Sequence, residues 1–155
     1  MKKWIIVFIF FSINAFANFS AKVIKVIDGD TVEVLTTKNN KIKVRLIDID
    51  APEHGQPYSH KSKQYLASLI DQKQVLIIDK GKDIYKRTLA IILYHQMNIN
   101  QEMVKSGYAW AYRFKNNATN QKFLKIEANA RQKKLGLWQD KQPIEPWVYK
   151  QSHKK

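Results

Sequence analysis

The chain contains no cysteine in its 155 residues. No disulfide can staple it, so its stability must come from packing, a ligand or a metal. Past its first residues it has no apolar stretch approaching the roughly 20 residues that a bilayer span requires. It has no internal repeat, no low-complexity tract and no linker, and at this length one domain is the natural expectation. It is also short of acid, with 13 Asp and Glu against 27 Lys and Arg, a formal charge of +14 and a sequence pI of about 9.9. Such an excess favours polyanionic partners: nucleic acid, anionic lipid or acidic glycans. Charge alone does not choose among them, because Lys, Ile and Asn are all abundant, as AT-rich coding would make them.

What is present begins with a leader pattern. Lys2 and Lys3 precede an apolar run from Trp4 to Ile13, broken only by Ser12, about ten residues and too short to span a membrane. Ala15-Phe16-Ala17 then offers the small-x-small signature of signal peptidase cleavage. Residues 1–17 are expected to be a signal peptide, 18–147 the folded domain, and 148–155 a polar, disordered tail. The protein is expected to be exported, periplasmic or secreted, with no stable membrane association once the leader is removed, and monomeric.

The domain opens with strand patterns at Ala21–Ile27, Thr31–Thr37 and Lys41–Ile47, joined by short polar turns. In the third, Ile42, Val44 and Leu46 face one way and Lys41, Lys43 and Arg45 the other. A helix over Ser59–Ile70 follows two prolines, and strands return at Gln74–Lys80 and Arg87–Tyr94. A short helix starts at about Ile99, with Asn98 as N-cap and Gly107 as stop. A last helix runs from about Thr119 to Leu135. Five short strands opening as a meander, with three α-helices, give an α+β fold that fits an OB-type β-barrel; pattern alone leaves an unspecified α+β sheet equally open.

Two segments carry the chemistry. Asp28-Gly29-Asp30 sets two carboxylates around a glycine at a strand junction, which by itself also reads as a plain turn. Arg45-Leu46-Ile47-Asp48-Ile49-Asp50-Ala51-Pro52-Glu53 ends a strand on a cation and then crowds three carboxylates into six residues. A solvated loop could hold these residues, but repulsion among Asp48, Asp50 and Glu53 makes that costly without a cation among them. Arg45 and Asp50 are separated by an odd number of residues. They can serve one phosphate only if the strand bends or ends between Ile47 and Ile49.

Together these segments resemble the staphylococcal nuclease (thermonuclease) family. Asp83 to Ala90, Asn100 to Ala109, Glu127 to Arg131 and Leu135-Gly136-Leu137-Trp138 extend the resemblance, in order, across Ala21 to Trp147. The resemblance implies a calcium-dependent endonuclease that hydrolyses phosphodiester bonds of DNA and RNA, cutting P–O5′ and leaving 3′-phosphate ends. It implies that Asp30 and Asp50 bind one Ca²⁺ through their carboxylates and Ala51 through its backbone carbonyl. It implies that Glu53 activates water and that Arg45 and Arg87 fork onto the phosphate, as planar, permanently charged guanidiniums do. Tyr85 and Tyr112 are implied to line the nucleotide pocket.

Some positions depart from the family pattern. Asp48 stands where glycine or an apolar residue is common, and its parity with Asp50 would add charge near the metal. Lys86 replaces a frequent glycine before Arg87, and the loop after Glu53 is short. His54 and His60 are expected to be surface histidines rather than a zinc pair, and Trp110 and Trp138 to be packing residues. Two other classes compete with a nuclease. A binding module of the same fold would lack part of the set Asp30, Arg45, Asp50, Glu53 and Arg87, all of which are present. A cationic protein acting on membranes or glycans would need basic amphipathic helices, which only the last helix approaches.

Overall fold

The computed structural model describes residues 18–153, so the leader expected at 1–17 lies outside the described residues. Three strands open the domain as an antiparallel meander: β1 (Phe19–Val26), β2 (Thr31–Thr36) and β3 (Lys41–Leu46). After helix α1 (Ser59–Ile70), β4 (Gln74–Lys82) pairs with β1, and β5 (Thr88–Tyr94) pairs with β4. The ring closes where β5 runs parallel to β3, with Val44 opposite Thr88 and Leu46 opposite Ala90. The result is the expected five-stranded, OB-like α+β barrel. Register shifts between Val23 and Lys25 in β1, and between Asp79 and Lys82 in β4, supply the coiling that closure demands.

The alternation read in the sequence fills the barrel. Val23, Val32, Val34, Val44, Leu46, Ile77, Ala90 and Ile92 are fully buried. Helices α2 (Ile99–Lys105) and α3 (Gln121–Gln132) cover one end, burying Met103, Val104 and Phe123. Asn98 caps α2 through its side chain, as expected, and Asn120 caps α3 two residues later than the sequence suggested. Asn100 is buried, accepting from the Ile92 amide and donating to the Ile47 and Ala90 carbonyls at about 3.0 Å. It pins α2 to the seam between β3 and β5, next to Arg45.

Two expectations need correction. The tail is not frayed from 148 onward: α4 (Pro146–Ser152) is a fourth helix, with Pro146 buried at its first turn. The last helix does not run on to Leu135, with Gly136 as its stop: α3 ends at Gln132. Instead Gly136 lies against Gly107, where a side chain on either would strike the other segment's backbone at 2.2 Å. That contact seats the turn Gly136–Gln139 and buries Trp138 against Trp110. No helix among the described residues is long and apolar enough to cross a membrane.

Candidate active site

Strand pairing assembles the site at one end of the barrel. Asp30 immediately precedes β2, and Arg45 is the second-last residue of β3; Thr31 is paired with Arg45, so the two charges meet. The Leu46 amide donates to the Asp30 carbonyl at 2.8 Å, fixing the register. The chain then breaks where the parity argument required. β3 ends at Leu46, and Asp48 takes a left-handed conformation with φ 62°. Ile49 and Asp50 resume as a two-residue strand against Trp110 and Ala111. This break turns Asp50 back toward Arg45.

The Arg45 guanidinium sits among acids. One terminal nitrogen lies 2.9 Å from Asp50 Oδ1 and 3.2 Å from Asp30 Oδ2. The other donates to the carbonyls of Leu46 and Ile49. Asp30 also accepts from the Ala51 amide at 2.7 Å and the Thr31 hydroxyl at 3.0 Å, and the Asp30 amide donates to Asp28 Oδ1 at 3.0 Å. Three carboxylates thus share one cation. Burial, then the Asp30 charge, pushes Asp50 up to about 7, and Arg45 offsets this only in part. The same two causes push Asp28 up to about 6. Burial works against the charge of Arg45, but Asp30 and Asp50 outweigh it and hold its pKa above the ordinary arginine value.

These groups open onto a cleft of about 470 Å³ that also takes in Ala51, Glu53, His54, Arg87 and Tyr112. Arg87 precedes β5 and is steered by Asp83, whose Oδ2 accepts from its Nε at 2.7 Å and whose Oδ1 accepts from its backbone amide at 2.9 Å. Asp83 is held below the usual carboxylate range: burial opposes this, but the hydrogen bonds from Arg87 prevail. The preceding Lys86 adopts φ 62°, so the lysine keeps the left-handed turn that a glycine would favour. Of the two tyrosines expected in the pocket, Tyr112 lines the cleft. Tyr85 does not: it is exposed in an adjoining groove that shares Arg87, with its ring 5.5 Å from the guanidinium.

Asp48 does not add charge to this centre. The left-handed turn reverses its parity, and its carboxylate accepts from Thr119 at 2.8 Å and Asn120 at 3.2 Å, before α3. His54 and His60 lie edge to face at 6.5 Å. Among the described residues no cluster of three or more His, Asp, Glu or Cys side chains forms a metal cage.

Several residues of the site carried little or no signal in the sequence. Gly29 is one: a Cβ there would meet the Ser62 hydroxyl at 1.9 Å and the Ala51 side chain at 2.7 Å, so only glycine lets α1 close against the acidic loop. Gln56 is another. It is buried, accepts from the Glu53 amide at 2.9 Å and donates to the Ile144 carbonyl. Trp147, the last residue of the expected domain, and Lys150, expected to be tail, share one helix and both line the cleft. Contacts that span about ninety residues of chain leave no local pattern to read.

The sequence model of the family described as "Staphylococcal nuclease homologue" matches residues 43–140. A protein of Haemophilus influenzae named "Uncharacterized endonuclease" is 47% identical over 135 residues, covering 87% of this chain and 75% of that protein. "Protein ParB" of Escherichia coli is 39% identical over 145 residues, covering 88% of this chain and 81% of its own. A "Micrococcal nuclease" of Shigella flexneri is 38% identical over 152 residues, covering 92% and 87%.

Proposed function

The chain belongs to the staphylococcal nuclease family and is a hydrolase of the endonuclease type, and from that premise we propose that it is a calcium-dependent enzyme cutting DNA and RNA to 3′-phosphate ends. The observation that carries the proposal is the charge imbalance at the head of the cleft. Asp28, Asp30 and Asp50 share a single arginine, and two of the three are driven toward the protonated form. Buried hard oxygens with a surplus of negative charge fit a divalent cation. Asp30 and Asp50 would hold it, with the Ala51 carbonyl and water completing the shell. When bound, Ca²⁺ supplies charge neutralisation at a phosphoryl oxygen.

The remaining roles follow from placement. With Asp30 and Asp50 turned to a bound cation, the Arg45 guanidinium is left for the phosphate, still anchored by the Leu46 and Ile49 carbonyls. Glu53 stands at the cleft with its side chain one-third exposed, suited to accept a proton from an attacking water. As the water oxygen bonds to phosphorus, the P–O5′ bond breaks and charge builds on the departing oxygen. Arg87 is oriented through its Nε by Asp83, so its terminal nitrogens are directed to neutralise that charge. Tyr112 offers the nucleotide an aromatic wall. The barrel's chemistry makes no demand on the sugar, which is why both DNA and RNA are proposed.

The test uses residues 18–155 with plasmid and with RNA, comparing Ca²⁺, Mg²⁺ and chelator. Cleavage should require Ca²⁺, and products should carry 3′-phosphate. Glu53→Gln should lower the rate by at least about 10²-fold, the scale for a positioned base. Equal digestion in chelator would overturn the calcium reading, and a fully active Glu53→Gln would remove Glu53 from the role of base. We further propose that the protein is exported after cleavage following Ala17, to the periplasm or the medium, as a monomer free of the membrane. Amino-terminal sequencing of the protein recovered outside the cytoplasm should begin at Asn18.

A further inference from the structure

The C-terminal segment is wired to the loop that carries Glu53. The Gln56 side chain links the Glu53 amide at 2.9 Å to the carbonyl of Ile144. Trp147 then packs edge-on against Trp110 at 5.8 Å and receives the Arg113 guanidinium on its face. The Tyr149 hydroxyl lies 3.3 Å from where a Cβ on Gly55 would stand. One turn beyond Trp147, Lys150 reaches Glu53, with Nζ 3.4 Å from Oε1 and its side chain 61% exposed. α4 is therefore a wall of the cleft, and it puts an exposed cation on the Glu53 side, with Arg45 and Arg87 already engaged elsewhere.

Resting on the nuclease reading of the cleft, we propose that Lys150 is a substrate-binding residue that exchanges Glu53 for a phosphate next to the one being cut. The exchange is cheap. An exposed ion pair at 3.4 Å between flexible side chains is held weakly, whereas a nucleic acid strand brings a row of phosphates whose counterions are released on contact. The exchange also has a consequence for Glu53, whose carboxylate loses its ammonium partner and is left for water only when a strand is in place. Lysine suits the task as a point charge on a long stem, because a non-scissile phosphate needs no fixed fork.

The experiment measures binding and turnover separately, on residues 18–155 as wild type, Lys150→Gln and Lys150→Arg. Binding of a labelled single-stranded oligonucleotide is followed by anisotropy in chelator, across a salt series, so that no cleavage occurs. Lys150→Gln should weaken binding about 3- to 10-fold at low salt and reduce the salt slope by about 0.7, the value of one phosphate contact on a single strand. In Ca²⁺, KM should rise by a similar factor with kcat within about twofold, and Lys150→Arg should recover both. An unchanged affinity and slope would overturn the proposal, leaving the ion pair as its only role. A fall in kcat at constant KM would overturn it too, because Lys150 would then act through Glu53. Wild-type protein that binds the strand but never cuts it would sink the nuclease reading, while the Lys150 effect on binding would stand.

Discussion

Two buried clusters of arginine and carboxylate lie in this domain, built from the same chemical parts in opposite proportion. Around Arg45, three carboxylates share one guanidinium. Around Glu127, two guanidiniums share one carboxylate. Glu127 is almost fully buried, and its oxygens accept from Arg113 at 2.8 and 3.1 Å, from Arg131 at 2.7 and 2.8 Å, and from the Ala111 amide at 2.7 Å. Arg131 is stacked 4.0 Å from the Trp138 ring and 4.6 Å from Trp110, so its surplus charge lies against π faces. That cluster is complete. The Arg45 cluster is not, since burial and mutual repulsion push Asp50 and Asp28 toward neutrality. Buried ionic groups thus mark a structural joint when their charges and hydrogen bonds close, and a binding site when negative charge is left over.

The largest effect should come from breaking the closed cluster. Glu127→Ala leaves two arginines facing each other over a cavity and frees the Ala111 amide. Removing one partner of a buried pair costs about 3–5 kcal/mol, a large share of what holds a domain of this size together. Urea unfolding in chelator should show that loss. The variant protein that remains folded should cut substrate at nearly the wild-type rate, since Glu127 does not line the cleft. A full loss of activity in folded Glu127→Ala would move this cluster into the site.

Breaking the open cluster should do the reverse. Asp50→Asn should lower activity on the order of 10²–10³-fold, the scale for losing one preorganised electrostatic group. In chelator the same substitution should raise stability by about 1 kcal/mol or more, one pKa unit being worth about 1.4 kcal/mol. A variant that is both inactive and less stable in chelator would show that Asp50 closes its cluster as Glu127 does.

Much of this contrast could be read from the sequence, but unevenly. The strands and their inward faces followed from two-residue alternation, but that pattern fits an open α+β sheet as well as a barrel, and only the family resemblance chose the barrel. The oddly spaced Arg45 and Asp50 required a break, and the left-handed Asp48 supplies it. What escaped were consequences of contacts distant in sequence. Glu127 reads as one charged residue on a helix face, and nothing in its neighbours announces Arg113 or a buried amide. Beyond Trp147 the chain reads as a polar tail, although Trp147 anchors α4 on Trp110. Gln56 reads as an ordinary loop polar residue, although it bridges Glu53 and Ile144. Tyr85 was expected beside Tyr112, but the turn that delivers Arg87 to the cleft sends Tyr85 to the neighbouring groove.

A smaller effect separates the clusters by pH. The folded pKa values of Asp50, about 7, and Asp28, about 6, both lie above the unfolded value of 3.8. Each group therefore contributes stability that is fully present below pH 3.8 and lost as pH rises through the folded pKa. In chelator, this contribution should fall away between about pH 4 and pH 7. A bound divalent cation must displace those protons, so its affinity should drop by up to about tenfold per pH unit below 7 for one proton released. The rise in Tm on adding Ca²⁺ should then be large at pH 8 and small at pH 5.5. An equal rise at both pH values would mean that the cation binds elsewhere.

The smallest effect concerns the carboxylate that the structure takes out of the open cluster. Asp48 sits two residues before Asp50 in sequence, yet its side chain is committed to Thr119 and Asn120. Asparagine tolerates the left-handed backbone found there and keeps an acceptor oxygen for Thr119. Asp48→Asn should therefore cost no more than about 1 kcal/mol, the net scale of one hydrogen bond, and should leave calcium affinity within about twofold. Isothermal titration of the variant beside Asp50→Asn makes the distinction directly. If Asp48→Asn weakened calcium binding as strongly as Asp50→Asn, the turn at Asp48 would not isolate its charge, and the open cluster would contain four carboxylates rather than three.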